Sequence, residues 1–197
     1  MLERVRRLLS KAEGAATEAE RDAYNAKAAE LIARYGIEEA LLDAQRAEPQ
    51  QAADRVVDLD PPYARDKASL LSAVAGPLGV RAVLRSRRSA GGTALTMHLF
   101  GMGSDLERVD VLYTSLLVQA AHALAVIRPP SEFESVAAYR RSWMIGFSYS
   151  IQQRLVAVPA RGRAGTDASR GAGDSSGASR SGRLVVADTR VQRTVDL

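Results

Sequence analysis

The 197-residue chain contains no cysteine, which excludes disulfides, thiolate metal sites and cysteine nucleophiles together. Histidine is nearly absent too. His98 and His122 are the two present, and neither falls in H-x-x-x-H or H-E-x-x-H spacing, so no imidazole pair is offered to a metal or to acid–base chemistry. Each reads as a structural histidine, His98 on a strand and His122 on a buried helix. No cofactor is expected. Aromatic residues make up only 5% of the chain, and much of the 46% apolar content is alanine. That composition favours closely packed helices over a core of large rings. Long hydrophobic runs are also missing. The most apolar helical stretch, Val109 to Ile127, is interrupted by Asp110, Tyr113, Thr114, Ser115, Gln119 and His122. It falls short of the roughly 18 apolar residues of a membrane helix. Met1 to Ser10 is too charged for the apolar region of a signal peptide. The expectation is a soluble, cytoplasmic protein without membrane partners.

What is abundant is arginine. The formal net charge is +4, yet the first fifty residues lean acidic through Glu13, Glu18, Glu20, Asp22, Glu38, Glu39, Asp43 and Glu48. The basic excess therefore sits downstream. A basic surface points to nucleic acid. Arginine-rich and alanine-rich composition also arises without any function.

The first 47 residues carry the clearest local signals. Leu2, Val5, Leu8, Leu9 and Ala12 recur at helical spacing, with Arg4, Arg7 and Lys11 as a ridge on another side, and Gly14 ends the helix. Thr17 and Glu20 form a capping box. Behind it, Ala19, Ala23, Ala26, Leu31, Ile32 and Tyr35 supply a face of mostly small residues. Gly36 stands where a left-handed C-cap followed by apolar Ile37 would stop the helix, and Ile37, Leu41 and Leu42 suggest a short third helix.

Ala47 to Asp54 reads as a polar linker, and Arg55 to Asp60 as a strand ending at Pro61-Pro62. A helix follows from about Ala64 to Ala75. Val80–Arg87 and Thr93–Phe100 form a hairpin turning at Ser89-Ala90-Gly91-Gly92. Because an isolated hairpin is marginal in water, Arg55–Asp60 is the candidate third strand. Ser104 and Glu107 form a second capping box that opens a long helix reaching Ile127. A second long helix spans Glu132 to Val158, with Phe133, Val136, Trp143, Phe147, Ile151 and Leu155 inward. The fold class is α+β, predominantly helical: an N-terminal helical hairpin and a small antiparallel sheet of two or three strands packed on two long helices. The expected units are 1–47, an α+β domain at 55–158, a Gly/Ala/Ser/Arg tract at 159–182 too poor in apolar surface to order, and a short segment at 183–197.

Two motifs stand out within residues 2–43: Leu8-Leu9-Ser10-Lys11-Ala12-Glu13 and Arg34-Tyr35-Gly36-Ile37-Glu38-Glu39-Ala40-Leu41-Leu42. They resemble the bacterial and phage family called domain of unknown function 2786. The region from 55 to 158 resembles the part often following it, on Pro62-Tyr63-Ala64, Gly101 to Asp105, Leu112 to Gln119 and Tyr139 to Phe147. The resemblance transfers no catalytic residue. Members in phages and mobile elements imply a setting in DNA metabolism or host conflict.

Three sites merit naming. With period two, Arg81, Arg85 and Arg87 share one strand face, opposite Val80, Ala82 and Leu84, with Arg88 at the turn and Thr96 and His98 alongside. A two-stranded ribbon of this kind can enter a major groove or lie on phosphates. A solvated face that guards a sheet against aggregation gives the same pattern. Gly101, Gly103 and Ser104 follow a strand and open a helix, where free N–H groups favour anions. No G-K-[ST] and no full G-x-G-x-x-G accompany them, and a capped strand-to-helix turn explains them equally. Arg140, three residues before Trp143, reads as a cation–π contact or a charged rim.

The leading functional expectation is a non-enzymatic interaction module associating with DNA or RNA through the hairpin arginines. A small enzyme with a pocket between His98, Gly101–Asp105 and the last long helix is an alternative. A helical scaffold that forms a homodimer or recruits a protein partner through the N-terminal hairpin is another.

Overall fold

The structure, a computed structural model, describes residues 1–45, 51–89 and 92–170, without the side chains of 89, 92 and 159–170. The elements in order are α1 (Leu2–Glu13), α2 (Glu18–Asp43), β1 (Ala52–Asp58), α3 (Ala64–Ala75), a 3₁₀ turn (Gly76–Leu78), β2 (Arg81–Ser89), β3 (Gly92–Met102), α4 (Gly103–Val126) and α5 (Val136–Arg170). The α+β architecture, the helical hairpin and the third strand are all present.

α1 buries Val5, Leu9 and Ala12 at the expected spacing. The Thr17 side chain accepts the Glu20 N–H at 3.2 Å and starts α2. The face of α2 matches the one expected at Ile32 but not over its first three turns. Asn25, Ala28, Ala29 and Ile32 are buried, while Ala19, Ala23 and Ala26 are exposed. Alanine occurs on both sides of this helix, so hydropathy alone does not mark its inner stripe. The helix also does not stop at Gly36. It runs on to Asp43, and no separate third helix forms.

The sheet has the order β1-β3-β2, antiparallel throughout. β1 starts at Ala52, inside the segment expected to be a linker. On β3, Leu95, Met97 and Leu99 are buried against the helices. One cluster of buried side chains runs from Val5 and Ile32 through Leu71 and Leu99 to Leu116 and Ile151, so the hairpin and the sheet share a core.

α4 begins at Gly103 after Met102 and has no side-chain cap bond. The expected Ser104–Glu107 capping box is thus displaced into the helix, where Glu107 faces Arg6 at 3.7 Å. Among the described residues α4 is long and apolar enough, by length and composition, to cross a membrane, which the sequence reading did not expect. Here it is the central helix of the core, burying Leu106, Val109, Leu112, Leu116 and Ala120. Its last turns emerge, and His122 is exposed instead of buried.

α5 starts later than expected, leaving Phe133 fully exposed. Met144, Ser148, Ile151 and Leu155 face the core, and Trp143 stacks on Phe147 with ring centroids 5.0 Å apart. The helix continues through 159–170, where the sequence reading expected disorder. The rest of that tract, the 183–197 segment and the Ala90-Gly91 turn lie outside the described residues.

Candidate nucleic-acid interface

The register decides which side chains share the open face of the sheet. Arg81 pairs with Phe100, Val83 with His98, Arg85 with Thr96 and Arg87 with Ala94. Across the other side of β3, Asp54 pairs with Phe100, Val56 with His98 and Asp58 with Thr96. Cross-strand partners point to one face. This face therefore carries arginines along the edge strand β2, a central row of Thr96, His98 and Phe100, and aspartates along β1. The cationic and anionic rows lie two strand spacings apart, roughly 10 Å.

The ribbon also extends past the helices. From Val83 to Arg88 every residue of β2 is exposed, as are Thr93 and Ala94 opposite. Arg88 alternates onto the other face, with Ala82, Leu84 and Ser86. Among the described residues none of Arg81, Arg85, Arg87 and Arg88 pairs with a carboxylate. Arg6, Arg34, Arg55, Arg108 and Arg154 do, whereas Arg4, Arg7, Arg21, Arg65, Arg128, Arg140 and Arg141 have no carboxylate partner among the described residues either.

His98 takes up the acidic edge. Its Nε2 lies 2.6 Å from an Asp54 carboxylate oxygen, and its ring packs on Phe100 with centroids 4.1 Å apart. It meets neither Asp105 nor Glu107, because it points away from α4. Two hollows elsewhere in the structure do not border it. One, about 10 Å³, lies between Asn25, Leu116 and Ile151. The other, about 340 Å³, is an open groove between α1 and α2. Neither touches Gly101–Asp105. Among the described residues no three His, Asp or Glu side chains converge as metal ligands.

Gly101 is explained by packing: a Cβ there would stand 3.0 Å from a Val80 methyl carbon. Gly103 meets nothing within 4 Å. At this end of α4 the first turn carries the Asp105 carboxylate, which accepts a hydrogen bond from Arg108.

Arg108 is the residue that the sequence reading missed. Its side chain is 8% exposed, and its guanidinium donates to the Ile32 carbonyl at 3.2 Å, to the Leu78 carbonyl at 3.5 Å and to Asp105. Among the described residues its Nε has no partner. A Cβ at position 36 would lie 2.1 Å from its Nη1. Gly36 is therefore a slot for a guanidinium, not a helix stop. Further along, polar bonds tie both helices of the hairpin to α4: Glu13 of α1 accepts from Ser115, and Asn25 of α2 and Gln119 exchange amide hydrogen bonds at 2.7 and 3.1 Å. Asp22 holds Arg154 of α5 bidentately at 2.6 and 2.7 Å.

Burial raises the Asp105 carboxyl above its ordinary pKa, and Arg108 offsets this only in part. Such a carboxyl favours the fold at acid pH. Its contribution is complete below about pH 4 and is lost as pH rises through the folded-state value. The stability difference between the wild-type chain and Asp105→Asn, followed by urea unfolding, should shift against the wild type as pH rises above about 4. A shift in the opposite direction would contradict this assignment.

The fold and its charges define an α+β protein with a helical hairpin clipped onto a central helix and an arginine-edged sheet. Residues 1–39 match the model of a family described as protein of unknown function (DUF2786). The match covers α1 and most of α2, including both motifs up to Glu39. No curated protein and no solved structure matches the chain.

Proposed function

We propose that the chain is a non-enzymatic binding module that associates with DNA or RNA through Arg81, Arg85 and Arg87. The observation that carries this reading is the placement of these arginines along one face of an exposed edge strand, with no carboxylate partner among the described residues. Asp54 and Asp58 on the far strand repel phosphate, so a backbone would lie along β2 rather than across the sheet. The open face carries Phe100, but it is half-buried and packed on His98, which leaves little platform for base stacking. Affinity then comes mainly from phosphates and depends little on sequence.

Labelled duplex and single strand titrated into the full chain between about 20 and 150 mM salt test this. Binding should weaken steeply with salt. Arg81/Arg85/Arg87→Ala should weaken it by roughly 10- to 100-fold at low salt and flatten the duplex log–log salt slope by up to about 2.7. Arg128→Ala, whose side chain bonds its own helix end, is the control. Failure of both strands to bind, or a triple variant that binds like the wild type, would sink the proposal.

A further inference from the structure

The groove between α1 and α2 has an apolar floor, Leu8 and Leu31, and a rim of Arg4, Arg7, Lys11 and Lys27. Its face continues along α2. At 100° per residue, Leu31, Arg34, Glu38 and Leu41 all lie within about 80° of one another around that helix. Leu41 and Leu42 are 37% and 53% exposed, so the apolar stripe runs on uncovered past the groove. Charge changes sign along it. The groove end is cationic. The far end carries Glu38 and Glu39, has no basic residue in its last turn, and is the negative end of the helix dipole.

We infer that this face is a two-fold interface between two copies of the chain. A face that is cationic at one end, anionic at the other and apolar between is complementary to itself when turned by a half rotation, as an isologous dimer requires. Antiparallel packing of two α2 helices centred on Gly36 sets Leu31 of one copy against Leu41 of the other, and Arg34 against Glu38. Arg34 and Glu38 form an i,i+4 pair at 3.0 Å within one chain, a surface contact worth little on its own and free to exchange across the axis. The cationic groove then receives the negative end of the other copy's α2. This inference is independent of the arginine edge on β2.

Sedimentation equilibrium of the full chain at low salt tests it. The expected result is a concentration-dependent mass approaching twice 21.1 kDa. Leu41→Lys/Leu42→Lys, at exposed positions, should leave the circular dichroism unchanged and raise the dimer dissociation constant about tenfold or more. Arg34→Glu and Glu38→Arg should each weaken self-association, because each sets like charges across the axis. An equimolar mixture of the two should restore it, because the mixed dimer has both cross-axis pairs again. A monomer at every concentration, a dimer indifferent to Leu41→Lys/Leu42→Lys, or a mixture no better than its components would overturn the inference. So would a groove that takes up duplex or an acidic peptide while the chain stays monomeric.

Discussion

Replacing Arg108 with alanine is expected to cost about 3–5 kcal/mol, the usual penalty for removing one partner of a buried ion pair. The loss is large because three acceptors on three segments, Ile32, Leu78 and Asp105, depend on one guanidinium. The same account predicts a change of sign at Gly36. In the wild-type chain Gly36→Ala should destabilise, since its Cβ would fall 2.1 Å from Nη1 and 2.5 Å from Cζ of Arg108. Once Arg108 is alanine, that obstacle is gone. Gly36→Ala should then stabilise by about 0.5–1 kcal/mol, the ordinary gain of alanine over glycine inside a helix. Urea unfolding of the two single variants and the double variant gives the coupling directly. Additive effects would show that the guanidinium is not what keeps position 36 a glycine.

The second large effect is expected at Leu116. It is fully buried at the middle of α4 and lines the small hollow that also touches Asn25 and Ala29 of α2 and Ile151 and Leu155 of α5. Leu116→Ala should cost about 2–5 kcal/mol. The upper half of that range is favoured because an existing gap would merge with the new one, and cavity volume adds to the transfer loss. α2 and α5 cannot close on it freely, being held by the Asn25–Gln119 amide pair and the Asp22–Arg154 pair beside it. Leu116→Met, nearly volume-conserving, should cost under about 1.5 kcal/mol. Equal losses in the two variants would mean that volume at this position is not what matters.

Features that depend on neighbours in sequence were legible beforehand. Thr17 and Glu20 announce the start of α2 because the cap bond spans three residues. The alternation of Arg81, Arg85 and Arg87 against Ala82 and Leu84 fixes the faces of β2 because strand geometry has period two. Gly36 was misread because a glycine followed by an apolar residue is also a local stop signal. What settles it is Arg108, whose bond to Ile32 spans 76 residues. The inner face of α2 is misplaced for a related reason: its buried Asn25 is polar and is satisfied by Gln119, 94 residues away. His98 likewise could not be matched to Asp54 until the pairing of β1 with β3 was known. In each case the partner is brought by topology, which hydropathy does not encode.

Seen from the fold, the motif residues of the opening hairpin divide in two. Leu9, Glu13 and Gly36 attach it to the rest of the chain, by packing in the shared core or by contact with α4. Lys11, Arg34, Glu38, Leu41 and Leu42 remain at the surface. The hairpin therefore packs on α4, the helix that backs the sheet, and presents a face of its own.

The most direct test of the nucleic-acid reading is a residue-resolved footprint. Backbone amide shifts of the full chain, followed during titration with a short duplex at low salt, should move along Arg81–Arg88 and the facing Thr93–Thr96, and stay in place around Arg4, Arg7 and Lys11. Shifts confined to the α1–α2 groove, with β2 unmoved, would contradict the account.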